Sequence, residues 1–181
     1  MFLKEKVRKK FLSLRKKRYF AVEQNFFKPL IKIINKEKKR KISLYYPSNY
    51  ELDTSNLFEI LDDRKNLSTL LPKLLPDGTM KFVKWRFFDP LKVNSFGFLE
   101  PKINGKSVVP DMMIVPLLAF DKFHNRLGYG KGYYDKFLSQ YISKKNMLTI
   151  GLAFSFQQYK KLPTSKFDVK LDYILTEKGI F

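Results

Sequence analysis

The sequence predicts a single α/β domain of three layers, and three observations carry that prediction. Candidate strands alternate along the chain with amphipathic helical segments, the order that builds a sheet covered on both faces. The stretch DMMIVPLLAF at 111–120 is apolar almost throughout, as a strand buried on both faces must be. The chain has 181 residues, a length suited to one domain, with no internal repeat and no low-complexity linker to divide it.

Leu3, Val7, Phe11 and Leu14 recur at helical spacing, which predicts an amphipathic helix over 3–18 with Lys4, Arg8 and Arg15 on its polar side. A second helical region over 19–37 is interrupted or restarted at Pro29, because proline inside a helix loses a hydrogen bond and clashes with the preceding turn. In KISLYYP, Ile42, Leu44 and Tyr46 alternate as in a strand, which Pro47 closes. Asp53, Thr54 and Ser55 offer an N-cap to a helix over Leu57 to Asp63, and NLSTLLP behind it reads as another strand. PDGT at 76–79 is a turn leading into the strand MKFVKW, and the Pro- and Gly-punctuated stretch 87–110 reads as mostly irregular. After the buried strand at 111–120 comes a glycine-rich segment, then helical spacing from Tyr133 to Tyr141. MLTIGLAF and LDYIL supply two further strands.

Lys and Arg number 36 against 17 Asp and Glu, a formal net charge of +19. Such an excess can draw a chain to nucleic acid or to an acidic membrane surface. The lysines are dispersed through KEKVRKK, KEKKRKI, SKK and YKK, as solvated faces are, so nucleic acid is not the expected partner. No apolar run approaches the roughly 20 residues that cross a bilayer, and the basic N-terminus continues into a mixed pattern unlike a secretory signal; a cytoplasmic protein with no membrane partner is expected. Cysteine is absent, which excludes disulfides, thiolate metal sites and cysteine nucleophiles. With His124 the single histidine, any metal is expected to be a hard cation held by carboxylates and phosphates.

RLGYGKGYYDKF at 126–137 sets Gly128, Gly130 and Gly132 at alternate positions between a buried strand and a helix. Bare backbone there brings unobstructed N–H groups to the positive helix end, which suits a phosphate. The spacing is G-x-G-x-G, neither the dinucleotide fingerprint nor the Walker loop. On this stretch alone a phosphate loop stands beside a tight turn that needs glycine for positive φ and buries its tyrosines.

The longer string VPLLAFDKFHNRLGYGKGYYDKFL resembles the signature of 5-formyltetrahydrofolate cyclo-ligases, approximately PxLAFDxxGxRLGxGxGYYDRxL. Lys4-x-x-x-Arg8, YYPSNYELDT at 45–54, FGFLEP at 96–101 and LPTSKFDVKLDYIL at 162–175 agree with the family in the same order. Lys136 replaces the usual arginine, keeping its charge without its bidentate fork, and His124 stands where the family commonly has glycine.

The resemblance implies a mixed, mainly parallel sheet flanked by helices in one domain over 1–181, and a ligase that converts 5-formyltetrahydrofolate to 5,10-methenyltetrahydrofolate with ATP and Mg2+. It implies ATP contacts at Lys4, Arg8, Arg126, Leu127, Gly128, Tyr129, Gly130, Lys131, Gly132, Tyr133 and Tyr134. It further implies folate contacts at Tyr46, Glu51 and Tyr133, and magnesium at Asp135 and Asp172. Asp121 and Asp168 are expected in capping or supporting duty, and the chain is expected to act as a monomer. The alternatives are a basic nucleic-acid-binding module and an ATP-dependent kinase of another small molecule; the second leaves Glu51 and the chain-long resemblance unexplained.

Overall fold

The computed structural model describes residues 2–181, the side chains of 142–145 excepted. The first helix, α1 (Phe2–Arg18), buries Val7 and Phe11 as its spacing predicts, and buries Arg15 with them, against the expectation that Arg15 lies on the polar side. The second helical region is shorter than 19–37: a 3-10 turn at Gln24–Phe27 opens α2 (Lys28–Lys36), with Pro29 in its first turn, where a missing N–H costs nothing.

The strand expected over 41–47 forms as β1 (Lys41–Ser43). One further ladder bond runs from the Leu44 amide to the Leu70 carbonyl at 2.9 Å, and Tyr45 and Tyr46 then leave the sheet. α3 (Ser55–Asp62) follows, its entry held by Asp53 Oδ1, which accepts from the Ser55 amide at 2.8 Å, while the Thr54 hydroxyl turns away to the Tyr45 carbonyl. β2 (Ser68–Leu74) and β3 (Met80–Lys84) form an antiparallel hairpin around the PDGT turn.

The stretch 87–110 holds structure that its composition conceals: β4 (Leu91–Val93) and β5 (Leu99–Pro101) pair antiparallel. The Asn94 side chain closes this hairpin by accepting from the amides of Phe96 at 2.9 Å and Phe98 at 3.1 Å, an Asx-type device that leaves no hydrophobic alternation to read. The apolar run 111–120 is two strands, not one. β6 (Met112–Pro116) lies in the main sheet, and β7 (Ala119–Phe120) pairs with β8 (Arg126–Leu127) in a small separate one. α4 (Tyr133–Lys145), β9 (Leu148–Leu152), β10 (Tyr173–Thr176) and the short edge strand β11 (Gly179–Ile180) complete the chain.

The main sheet has the order β11-β10-β9-β6-β1-β2-β3. Its five central strands run parallel, and the edge pairs β10–β11 and β2–β3 are antiparallel. β6 shows why an inner strand reads as continuously apolar. Met112 and Ile114 enter the core beneath α2 and α3, with Leu30, Ile34, Leu57 and Phe58, while Met113 and Val115 face the core under α4, with Phe137 and Leu138. Each such fully buried side chain contributes on the order of 1.5–3 kcal/mol relative to exposure. α1 packs through Val7 and Phe11 on Leu118, Ala119 and Leu127, over the segments that leave β6. Among the described residues no helix is long and apolar enough to cross a membrane.

β1 pairs with β2 on one side and β6 on the other, so the chain winds outward in opposite directions from these two strands. A crevice opens beyond the carboxyl ends of strands at such a reversal. The segments entering it are 44–54 after β1 and 117–132 after β6.

Candidate active site

A cavity of about 300 Å³ lies at this crevice. Tyr45, Tyr46, Ser48 and Glu51 line it from the segment after β1, and Pro72, Leu74 and Met80 from the β2–β3 hairpin. Asn94, Phe96 and Phe98 come from the β4–β5 hairpin, Lys4 and Arg8 from α1, and the continuous run 126–135 with Asp168 closes the remaining side.

One end of the cavity is built from bare backbone and cations. Gly132 stands at the N-cap of α4 with φ 72° and Gly130 has φ 96°, conformations that non-glycine residues adopt at a penalty. Space imposes a second requirement at Gly130, where an added Cβ would lie 2.9 Å from the guanidinium carbon of Arg8. Arg8 donates through Nε to the Gly128 carbonyl at 2.9 Å and pairs with Glu5. Arg126, its side chain only 4% exposed, donates through Nη2 to Asp135 Oδ1 at 2.8 Å, and its buried Nε lacks a hydrogen-bond partner. Lys4 meets Asp168 at 2.5 Å, and the Lys131 ammonium lies 5.0 Å from the centre of the Phe96 ring. Burial alone would raise the Asp168 carboxyl, but Lys4 and Ser165 hold it below its ordinary value. Four cationic side chains, glycine-loop amides and a helix N-terminus converge here, an arrangement that stabilises a polyanion by charge-assisted hydrogen bonding.

The other end centres on Glu51, 6% exposed. Its Oε2 accepts from the Ser48 amide at 2.9 Å and the Ser48 hydroxyl at 3.2 Å, within a tight turn in which Asn49 and Tyr50 have φ of 47° and 60°. Burial pushes the Glu51 carboxyl up, and the opposing pull of Arg15, Ser48 and Tyr129 offsets this only in part. Burial and the nearby Glu51 charge also push the Tyr129 and Tyr134 phenols well up, so both remain protonated hydrogen-bonding groups. Tyr46 sets its ring edge-on to Trp85 at 6.3 Å, and Tyr133 meets Phe96 at 6.1 Å.

The structure brings together Lys4, Arg8, Arg126, Leu127, Gly128, Tyr129, Gly130, Lys131, Gly132, Tyr133, Tyr134, Tyr46, Glu51 and Asp135 around this one cavity. Asp172 is not among the lining residues. Its Oδ2 accepts from the Thr149 amide at 2.7 Å and hydroxyl at 2.8 Å, at the N-terminal ends of β9 and β10. Pro116, a lining residue, pairs with Leu152 three positions further along β9, about 10 Å away at the rise of a strand. The lining thus includes Asp135 and Asp168 and not Asp172, and Asp168 pairs with Lys4 besides accepting from the Ser165 amide. Asp121 does serve as a pin, fully buried and accepting from the amides of Phe123, Asn125 and Leu162. Arg15 does not line the cavity but hydrogen-bonds the lining residue Tyr129 from behind, a contact the sequence reading does not anticipate. The available signal was a charge spaced four residues after Phe11, within reach of the apolar stripe and not clearly opposite it.

The profile of the 5-formyltetrahydrofolate cyclo-ligase family matches residues 2–177. The chain is 34% identical over 179 residues to 5-formyltetrahydrofolate cyclo-ligase of Haemophilus influenzae, covering 96% of this chain and 95% of that protein. To the Escherichia coli K12 protein of the same name it is 32% identical over 146 residues, covering 77% and 79%. Among solved structures it superimposes on 5,10-methenyltetrahydrofolate synthetase of Aquifex aeolicus with a TM-score of 0.77 at 31% identity, covering 98% of this chain and 91% of that one. It also matches the 5,10-methenyltetrahydrofolate synthetase of Mycoplasma pneumoniae with a TM-score of 0.73 at 26% identity, over 95% and 97% of the two chains. The glycine run and the buried glutamate, brought to one cavity, thus agree with a match along nearly the whole sequence, and the chain belongs to the 5-formyltetrahydrofolate cyclo-ligase family of ligases.

Proposed function

We propose that this cavity converts 5-formyltetrahydrofolate and ATP into 5,10-methenyltetrahydrofolate, ADP and phosphate. The observation that carries the reading is the pairing of two clusters in one cavity: a glycine loop ringed by Lys4, Arg8, Arg126 and Lys131, and a buried carboxylate among phenols. A kinase for another small molecule would need the first cluster and leave the second without a purpose.

A formyl group on N5 is a resonance-stabilised amide whose oxygen leaves poorly. The formyl oxygen attacks the γ-phosphorus as the bond to ADP breaks, leaving an electrophilic iminium carbon that bears phosphate. N10 then attacks that carbon, loses its proton, and the carbon–oxygen bond to phosphate breaks. The protein's task is alignment and charge stabilisation more than covalent chemistry. The glycine-loop amides and the guanidinium groups of Arg8 and Arg126 hold the phosphates in this reading, and loop amides do so with no rotamer to order. Leu127, Tyr129 and Tyr134 shape the nucleotide side. Glu51 accepts hydrogen bonds from pterin N–H groups, and Tyr46 and Tyr133 pack against the folate. Phe96 and Phe98 exclude water from the activated carbon.

Magnesium, when bound, would screen the phosphate charge. The donor set suits a hard cation that keeps water and phosphate ligands, because Asp135 offers a carboxylate in the cavity and no group of three or more His, Cys, Asp or Glu forms a cage among the described residues. Asp135 would have to divide its oxygens between the cation and Arg126. The same reading takes the chain as a cytoplasmic monomer.

The test is an assay of purified protein with 5-formyltetrahydrofolate, with and without Mg-ATP, following the absorbance of the methenyl product. ATP-dependent product is expected, and none from well-folded protein would overturn the reading.

A further inference from the structure

We infer that Arg15 is a positioning residue that locks the Glu51 turn to the glycine loop, so that filling either end of the cavity pre-orders the other; this rests on the reading of the two ends given above. Arg15 lies two turns beyond Arg8 on α1 and is fully buried, 0% exposed. Its guanidinium reaches three segments far apart in sequence. Nη1 donates to the Leu117 carbonyl just past β6 at 3.3 Å, and Nη2 donates to the Asn49 carbonyl at 2.6 Å and to the Tyr129 hydroxyl. The guanidinium carbon also lies 5.7 Å from the centre of the Tyr129 ring.

Packing alone does not require this residue. Beside Val7 and Phe11 an aliphatic side chain would fill the stripe without burying a charge, and the Nε of Arg15 is left without a hydrogen-bond partner. What an aliphatic residue lacks is the rigid fork, which holds three acceptors at fixed mutual distances. One acceptor belongs to a turn in which Asn49 and Tyr50 both have positive φ, a backbone that persists only where its surroundings over-determine it. Another belongs to the glycine loop. A ligand that orders one segment therefore removes part of the ordering cost for the other, which is positive coupling between sites.

Arg15 from α1, Ser48 from its own turn and Tyr129 from the glycine loop act on the Glu51 carboxyl, whose charge in turn raises the phenols of Tyr45 and of Tyr134 on α4. Arg15 is the cation among them. Losing its charge leaves burial less opposed and pushes the Glu51 carboxyl further up.

The experiment measures folate affinity by calorimetry with and without a non-hydrolysable ATP analogue, in the parent protein, Arg15→Lys, Arg15→Gln and Tyr129→Phe. In the parent protein the analogue should tighten folate binding by about 5-fold or more, within the usual range for coupled sites. All three substitutions should bring that factor toward one: Lys lacks the fork, Gln lacks both fork and charge, and Phe keeps the ring without its hydroxyl. Arg15→Gln should also move the acid limb of kcat/KM to higher pH, and Arg15→Lys should restore it, a split that a merely structural role would not produce. Melting curves accompany each variant, and if Arg15→Gln fails to fold, Tyr129→Phe and Arg15→Lys decide. Folded variants that keep the parental coupling, or a parent protein with no coupling, overturn the proposal. A parent protein that binds neither ligand overturns instead the functional reading on which it rests.

Discussion

At the N-terminal ends of the parallel strands, Asp111 accepts from the amides of Arg40 and Lys41, and Asp172 from the amide and hydroxyl of Thr149. At the opposite ends, Glu51 is buried with its carboxyl pushed up, and Arg126 and Arg15 are buried with donors left unpaired. Carboxylates saturated by backbone hold the sheet together at one end, and arginines at the other keep donors unused. A group saturated by backbone contributes stability, whereas a buried group short of partners costs stability until a ligand supplies them. Of these two arginines Arg126 lines the cavity, so the asymmetry reaches the candidate site.

The sharpest way to break the contrast is at the cation-ringed loop. Gly130→Val should lower kcat/KM by at least about 100-fold, since the branched side chain meets Arg8 at 2.9 Å from its first atom and the φ of 96° is strained for valine. The strain should cost roughly 1–3 kcal/mol of stability, read from denaturant unfolding. Near-parental turnover in the folded variant would remove this loop from the mechanism.

Glu51→Gln comes next. Loss of a charge-assisted acceptor worth roughly 1.5–3 kcal/mol predicts a fall of about 10–150-fold in kcat/KM for folate, with ATP-analogue binding retained. Its stability should move the other way. Because the folded carboxyl is raised above its unfolded value, the parent protein is favoured below the ordinary glutamate pKa and loses that share as pH rises through the folded pKa. Gln carries no such loss, so at neutral pH the variant should melt no lower than the parent. Asp168, held below its ordinary value, has the reverse sign: its contribution is present above the ordinary aspartate pKa and disappears as pH falls through the lowered one. Equal impairment of both substrates in Glu51→Gln would instead assign Glu51 to the fold.

A matched pair of aspartates tests the two ends directly. Asp172→Asn should cost about 1–3 kcal/mol by leaving the Thr149 donors poorly matched, with rate and magnesium dependence unchanged. Asp135→Asn should raise the magnesium concentration for half-maximal rate by about tenfold, the equivalent of one lost contact near 1.4 kcal/mol. A magnesium titration that reverses these outcomes would return the metal to Asp172. The smallest effect is expected at the exposed basic rim beyond the N-terminal strand ends, where Lys38→Gln and Lys65→Gln should stay within about 0.5 kcal/mol and leave turnover unaltered.

Elements whose causes are local were legible from the chain. The period of α1, the restart at Pro29, the Asp53 bond to the Ser55 amide at the start of α3, the turn at 76–79 and the two-faced burial of β6 each depend on residues a few positions apart. The hairpin of β4 and β5 escaped because Asn94 orders it through its side chain, leaving three-residue strands too short to alternate visibly. The run 111–120 concealed a break for the opposite reason, since both of its strands are buried and hydropathy does not change between them.

By itself the sequence determined the layer order, the glycine loop that only small residues can form, and the set of side chains from which the site is drawn. Tertiary structure alone decided which of those side chains meet. Lys4 finds Asp168 across 164 positions and Arg15 finds Tyr129 across 114, while Asp135 lines the cavity beside Arg126 and Asp172 binds Thr149. Periodicity, caps and φ preferences act over one or two turns of chain. Whether a charge is solvated, paired with backbone or buried short of partners depends on which strand end it reaches, and that is fixed only when the parallel strands pair in register.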